Sequence, residues 1–263
     1  GEGVPLTTAF RLALALNIAI VILQAIYGFV SHSMALFADM GHNLSDVLAL
    51  VAAMVARVLA ARPPTRKRTY GYGRTTILAA LFNAVVLLVT TGAIIYGAVE
   101  RFGDPVVVDP GVMGSVALVA ILLNTVAALL LRRGGQGDLN TRAAYLHMAG
   151  DAAVSVGVLV AAVLIDRTHA AWIDPAVSIV ISLVILVGTW SLLRESFALA
   201  SDAVPAHLDP VEIEQYLRSI EGVADVHDLH IWGMSTTHSV LTAHLVSPEG
   251  GLGDDVLFTI SRE

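Results

Sequence analysis

The sequence predicts a polytopic α-helical membrane protein, six transmembrane helices followed by a small α+β cytoplasmic domain. Three observations carry this. Of 263 residues, 56% are hydrophobic and only 14% charged, with a mean hydropathy of +0.75. An ordinary soluble domain carries about 25% charged residues, so the excess apolar surface has to face lipid. Six stretches reach the roughly 20 apolar residues that a bilayer crossing needs. Basic residues gather in alternate connections between those stretches. The same composition excludes a disordered chain, and the lack of cysteine excludes a disulfide framework, so any transition-metal site must use His and carboxylates.

In chain order, Gly1 to Thr8 is too short for a cleavable signal. The spans follow at Ala9–Val30, Met34–Ala61, Thr75–Val99, Val112–Leu131, Ala143–Ile165 and Ala171–Leu193. The second-to-third connection holds Arg62, Arg66, Lys67, Arg68 and Arg74, and the fourth-to-fifth holds Arg132, Arg133 and Arg142. The opposite connections hold only Arg101 and Arg167, each beside acids. Positive loops stay inside, which places both termini in the cytoplasm. The expected location is a bacterial inner membrane.

The membrane domain is expected over residues 1–205 and the cytoplasmic domain over 206–263. Up to Pro205 there are 13 Lys/Arg against 12 Asp/Glu; from Ala206 onward there are 2 against 10. So acidic a tail repels nucleic acid and anionic lipid heads and attracts cations. Asp209-Pro210 starts a short helix to Ser219, Val223–Trp232 and Ser239–Val246 alternate as strands, and a helix-like segment begins at Gly253. This α-β-β-α order ends before a closing strand, so the domain is expected to be incomplete.

Ionisable groups in a hydrocarbon core cost about 2.5–3.5 kcal/mol each and mark function. The second span holds Asp39, His42, Asn43 and Asp46; the fifth holds His147 and Asp151. Both contain His-x-x-x-Asp, which puts the two groups on one helical face. Two such helices, antiparallel and with the motifs near mid-bilayer, offer two imidazoles and two carboxylates, a tetrahedral set that suits Zn2+. Asp39, one heptad before Asp46, either lines the pathway or hydrogen-bonds a neighbouring helix. Asn17, Gln24 and Asn83 are expected to join helices, and Asp174, before Pro175, to cap the sixth.

A midplane ion site in a helical bundle implies a secondary transporter. No phosphate-binding loop is present to support a primary pump, and the only lysine, Lys67, lies in a loop. The alternative is an intramembrane metal-dependent hydrolase, but H-E-x-x-H is absent and four protein ligands leave no position for a catalytic water.

The residues resemble those of the cation diffusion facilitators, a family of divalent-metal exporters. The likeness spans Leu12 to Leu257. It rests on Ser33-Met34-Ala35-Leu36, Ala38-Asp39, His42-Asn43-Leu44-Ser45-Asp46, Thr69-Tyr70-Gly71-Tyr72-Gly73-Arg74, Arg142-Ala143-Ala144-Tyr145-Leu146-His147, Gly150-Asp151 and Val226-His227-Asp228-Leu229-His230-Ile231-Trp232. The resemblance implies a homodimer in the lipid bilayer with a ferredoxin-like cytoplasmic domain. It also implies export of Zn2+, or Cd2+ and Co2+, against protons, through a transport site of His42, Asp46, His147 and Asp151, with no resident cofactor. His42, where manganese-favouring members tend to carry Asp, points to the zinc branch. Three features depart from the family. The loop Arg132–Arg142 has no His, Thr76 stands where Glu is frequent, and the tail lacks its last strand.

In the tail, His227 and His244 match positions that bind regulatory metal in some relatives. Strand alternation puts His230 on the opposite face from His227. His207 and His238 read as solvated, and His32 and His169 lie in the outer loops.

Overall fold

The structure, a computed structural model, describes residues 8–134 and 139–248. The helices are α1 (Thr8–Ser31), α2 (Met34–Ala60), α3 (Thr75–Gly103), α4 (Pro110–Gly134), α5 (Leu139–Thr168), α6 (Ile173–Ala200) and α7 (Pro210–Ser219), followed by strands β1 (Asp225–Gly233) and β2 (Ser239–Val246). The first six are each long and apolar enough to cross a membrane. Most outrun their expected spans, α6 by seven residues, because Arg194 and Glu195 are compatible with a helix that continues beyond the apolar stretch. The helix-like segment expected from Gly253 lies outside the described residues.

The chain forms two compact units, Gly1–Val51 with Asn83–Trp190, and Ala52–Phe82 with Ser191–Glu263. In the first, the apolar core is Ala35, Leu36 and Ala38 of α2, Met113, Val116 and Ala117 of α4, Val158, Ala161, Ala162 and Ile165 of α5, and Ile173, Ile181 and Ile185 of α6. These positions open α2, α4 and α6 and close α5, so the core gathers at one end of the bundle. A small cluster of Ala127, Ala128 and Met148 is packed toward the other end.

The turns at the core end are built locally. His32, at φ 56°, ends α1 in a left-handed conformation, and the Ser33 amide closes back on the Gly28 carbonyl at 3.1 Å. Ser33 then caps α2, its Oγ accepting from the Leu36 amide at 3.2 Å. Asp109 caps α4, accepting from the Gly111 and Val112 amides at 3.0 Å each, with Pro110 in the first turn.

Asp174 corrects the sequence reading. It lies inside the first turn of α6 and caps α2 instead. Fully buried, it accepts from Ser33 Oγ at 2.6 Å, from the Met34 amide at 2.7 Å and from the Ala35 amide at 3.1 Å. Only two residues separate α1 from α2, so the free amides at the α2 start are buried and need an acceptor from another helix. The Arg101 guanidinium, 3.6 Å from the same carboxylate, brings in the end of α3.

In the second unit, α7 begins as expected. Asp209 accepts from the Val211 amide at 2.8 Å and Pro210 occupies the first turn. At its other end Arg218 binds Glu214 at 3.0 Å and Asp225 of β1 at 2.7 Å. The Arg218 guanidinium holds the Asp225 carboxyl below its ordinary range. β1 and β2 pair antiparallel, Asp225 opposite Val246 through Gly233 opposite Ser239, with an irregularity between His227 and His230. There Asp228 adopts φ 52°.

That bulge overturns a second reading. His227 pairs with His244 and His230 pairs with Thr242. His244 and Thr242 are two apart on a regular strand and share a face, so their partners His227 and His230 share it too. One inserted residue reverses the alternation.

Candidate metal centre

Asp39, His42 and Asp46 fall at i, i+3 and i+7 on α2, and His147, Asp151 and Ser155 at i, i+4 and i+8 on α5. Each set lies along one helical stripe. Because the helices run in opposite directions, the stripes meet as a three-rung ladder. Asp46 Oδ2 stands 3.2 Å from His147 Nε2, His42 Nε2 stands 3.2 Å from Asp151 Oδ1, and Ser155 Oγ donates to Asp39 Oδ2 at 2.8 Å. Within each helix the His–Asp separation is 3.8 Å, and the two imidazoles lie edge to face with centroids 6.0 Å apart.

These spacings fit one shared cation. Ligands about 2.0 Å from a tetrahedral ion are about 3.3 Å from each other. The ligand atoms of His42, Asp46 and Asp151 all lie within 4.8 Å of one another. His147 joins them from the rim, within 3.8 Å of both carboxylates. His42 Nδ1, Asp46 Oδ2 and Asp151 Oδ2 are buried without a well-aligned hydrogen bond. Two carboxylates faced only by imidazoles among the described residues of a low-dielectric bundle call for a positive charge.

The third rung is different, because its carboxylate is already satisfied. Asp39, fully buried, accepts from Gln24 Nε2 at 2.6 Å as well as Ser155 Oγ, and Asn43 Nδ2 approaches Oδ1 at 3.3 Å. Of the two roles open to Asp39 in the sequence, this geometry is the hydrogen-bonding one. Gln24 joins α1 to α2, and Ser45 reaches Asn83 of α3 at 3.4 Å, both as expected. Asn17 is buried but leaves its Oδ1 unmatched. The site is asymmetric in access: His147 is 42% exposed, whereas Asp151 and Ser155 above it are closed off.

Two residues were missed in the sequence. Ser155 carried a signal, since it extends the fifth-helix spacing by one more i+4 step. Asp228 carried none. Alternation alone would separate it from His227, and only the bulge brings the two together. His227 and His244 stack edge to face at 5.4 Å, and Asp228 Oδ2 reaches His244 Nδ1 at 3.2 Å. The ligand atoms of these three exposed residues lie within 4.8 Å of one another. His207 is exposed, while His238 Nδ1 sits in a turn with Ser235 and Thr237 hydroxyls at 3.2 and 3.0 Å. His32 and His169 both end helices in left-handed conformations.

The cation efflux transmembrane domain family matches residues 10–199, and the cytoplasmic domain of cation efflux proteins matches residues 205–253. The chain belongs to the cation efflux family, the cation diffusion facilitators. Similar relatives include the metal cation efflux system protein CzcD of Cupriavidus metallidurans, 36% identical over 91% of this chain and 76% of the relative. The zinc transporter ZitB of Escherichia coli is 38% identical over 89% and 75%. A cadmium, cobalt and zinc/H(+)-K(+) antiporter of Bacillus subtilis is 35% identical over 86% and 73%. This family consists of transporters, not enzymes, which sets aside the hydrolase alternative. This cation efflux protein is an integral membrane protein of six apolar helices followed by a small cytoplasmic domain.

Proposed function

We propose that this cation efflux protein exports divalent transition metal from the cytoplasm, Zn2+ foremost and Cd2+ or Co2+ with it, in exchange for protons. His42, Asp46, His147 and Asp151 bind the cargo. The observation that carries the reading is the pairing of two His-x-x-x-Asp stripes across antiparallel helices at 3.2 Å, each carboxylate facing the imidazole of the other helix. The relatives' names point to the same cargo.

Zn2+ requires neutral imidazole and ionised carboxylate, so protons and metal compete for the same four groups. An ordinary imidazole titrates near 6.5, within reach of the pH difference across a bacterial membrane. Metal arrives from the His147 side, where the basic loops place the cytoplasm, displaces protons and neutralises the two carboxylates. The apolar core seals the other side. After the bundle reopens outward, protons from the more acidic side return to the ligands and expel the metal. Residues 1–205 carry this cycle in a homodimer with both termini in the cytoplasm of a bacterial inner membrane. Residues 206–263 regulate it through a second metal at His227 and His244, with Asp228 as a third ligand.

Reconstitution into liposomes tests the cycle. With an imposed proton gradient, the vesicles should accumulate Zn2+, and a protonophore should abolish the accumulation. Zn2+ movement indifferent to the gradient would remove the exchange, and Zn2+ accumulation by a His42→Ala/Asp151→Ala chain would remove the site.

A further inference from the structure

The loop between α2 and α3, with the tail packed under it, encloses a second feature that the transport cycle does not use. A cavity of about 970 Å3 is lined by Lys67, Arg68 and Arg74 on the loop side and by His230, Trp232 and Thr242 on the strand side. Its walls are fixed. Thr65 and Arg68 exchange backbone hydrogen bonds at 3.0 Å, and Gly71, at φ 70°, closes the turn onto the Arg68 carbonyl. Gly73 lies so close to Met234 that a Cβ there would fall 2.8 Å from its carbonyl oxygen. The Thr236 amide donates to Thr76 Oγ1 at 3.0 Å, so the position where this chain departs from its family holds the tail to α3.

The charge of the cavity runs against that of the tail. Its one acidic lining residue, Asp202, is taken by Arg74, and none of the described acidic residues after Ala206 lines it. Arg68 stacks over the Tyr72 ring at 4.7 Å, which leaves the guanidinium edge free to donate. Lys67 has no carboxylate partner among the described residues. Such a site takes an anion, and its shape says which kind. The lining continues onto Leu78, which with Phe82 one turn later presents an apolar face of α3, the two being 57% and 65% exposed. Cations at one end and an exposed apolar track at the other match an amphiphile.

We infer that this cavity binds the phosphate headgroup of an anionic phospholipid, with Lys67 and Arg68 on the phosphate and an acyl chain along Leu78 and Phe82. The inference goes beyond the transport reading and does not depend on it, because the test below reads lipid contact and not metal movement.

Trp232 in the cavity wall supplies the probe. The full chain, carrying Trp172→Phe and Trp190→Phe so that Trp232 alone emits, is placed in phosphatidylcholine bilayers. Brominated phosphatidylglycerol or brominated phosphatidylcholine is then titrated in. A basic side chain near a lipid surface favours anionic lipid about fivefold, so two predict a preference on the order of 25-fold for phosphatidylglycerol in quenching. The K67Q/R68Q chain should lose that preference, and Lys67→Arg/Arg68→Lys, which keeps both charges, should retain it. Equal quenching by the two lipids, or a preference that survives in K67Q/R68Q, would overturn the inference. Inorganic phosphate should leave the quenching unchanged; abolition by phosphate would reassign the cavity to a soluble phosphate ligand. Trp232 shielded from both lipids in the dimer would give the cavity to the second copy.

Discussion

The third rung of the α2–α5 ladder separates a structural carboxylate from a metal-binding one, and Asp39 is the place to test it. Asp39→Ala removes the acceptor that Gln24 Nε2 and Ser155 Oγ have among the described residues, whereas Asn43 Nδ2 keeps Gln24 Oε1 at 3.2 Å and the Asp39 carbonyl at 3.0 Å. Two buried donors left unmatched cost about 1–3 kcal/mol each, so the alanine chain should lose about 4 kcal/mol. Asp39→Asn can aim its carbonyl at the Oδ2 position and keep both donors. It faces Asn43 with a second amide group and sheds a buried charge, so its net loss should be at most about 1 kcal/mol. For a chain of this size each kcal/mol moves the unfolding temperature by about 2–4 °C, which predicts a fall of about 10 °C for alanine and about 3 °C for asparagine. Thermal unfolding in detergent micelles measures both, and calorimetric Zn2+ titration of the asparagine chain should show the membrane site intact. Equal destabilisation by the two substitutions would refute the hydrogen-bond account. Loss of the membrane Zn2+ site in the asparagine chain would make Asp39 part of the metal centre.

Replacing His42, Asp46, His147 or Asp151 singly by Ala should stop Zn2+ transport while the protein still folds, and His42→Asp, which adds a hard oxygen ligand, should weaken Zn2+ relative to Mn2+ in competition uptake; an unchanged ranking would remove His42 from the ligand set. Asp174→Ala strips the α2 start of its buried acceptor and should cost about 3–5 kcal/mol by thermal unfolding, since it also leaves Arg101 without its neighbour; a loss under about 1 kcal/mol would contradict the clasp. His227→Ala/His244→Ala should shift the metal concentration at which transport half-saturates, and Asp228→Asn should shift it in the same direction; no shift in either would leave the three as surface residues. Asp225, held low by Arg218, contributes stability that is present above its ordinary value near 3.8 and lost as pH falls through its lower folded value. Once corrected for the intrinsic pH dependence of exchange, the protection of the Val226 amide in the full chain should therefore fall on acidification below about pH 4, and Asp225→Asn should keep one level of protection across that window.

Much of this protein was legible from side-chain chemistry along the chain. Six apolar stretches can only be membrane helices, because a backbone in hydrocarbon must satisfy its hydrogen bonds within each segment. The ligand candidates were legible for a related reason: four ionisable groups at helical spacing are too costly in lipid to be incidental, and α2 and α5 bring those four together. Asp209 and Pro210 announced a helix start because capping is decided within three residues. What the sequence left open depended on neighbours distant in the chain. Asp174 looked like the cap of its own helix, yet the amides it serves belong to α2, 140 residues earlier. Asp39 was open to a pathway or a hydrogen-bonding role, and its hydrogen bonds depend on Gln24 and Ser155 from two other helices. His230 was assigned a face by alternation, and a single inserted residue in β1 moved it. Local periodicity fixes which side chains share a face only while the backbone stays regular. Which buried acceptor meets which buried donor is decided by helix packing, where each unmatched group costs as much as a cap, and that pairing is a property of the tertiary structure alone.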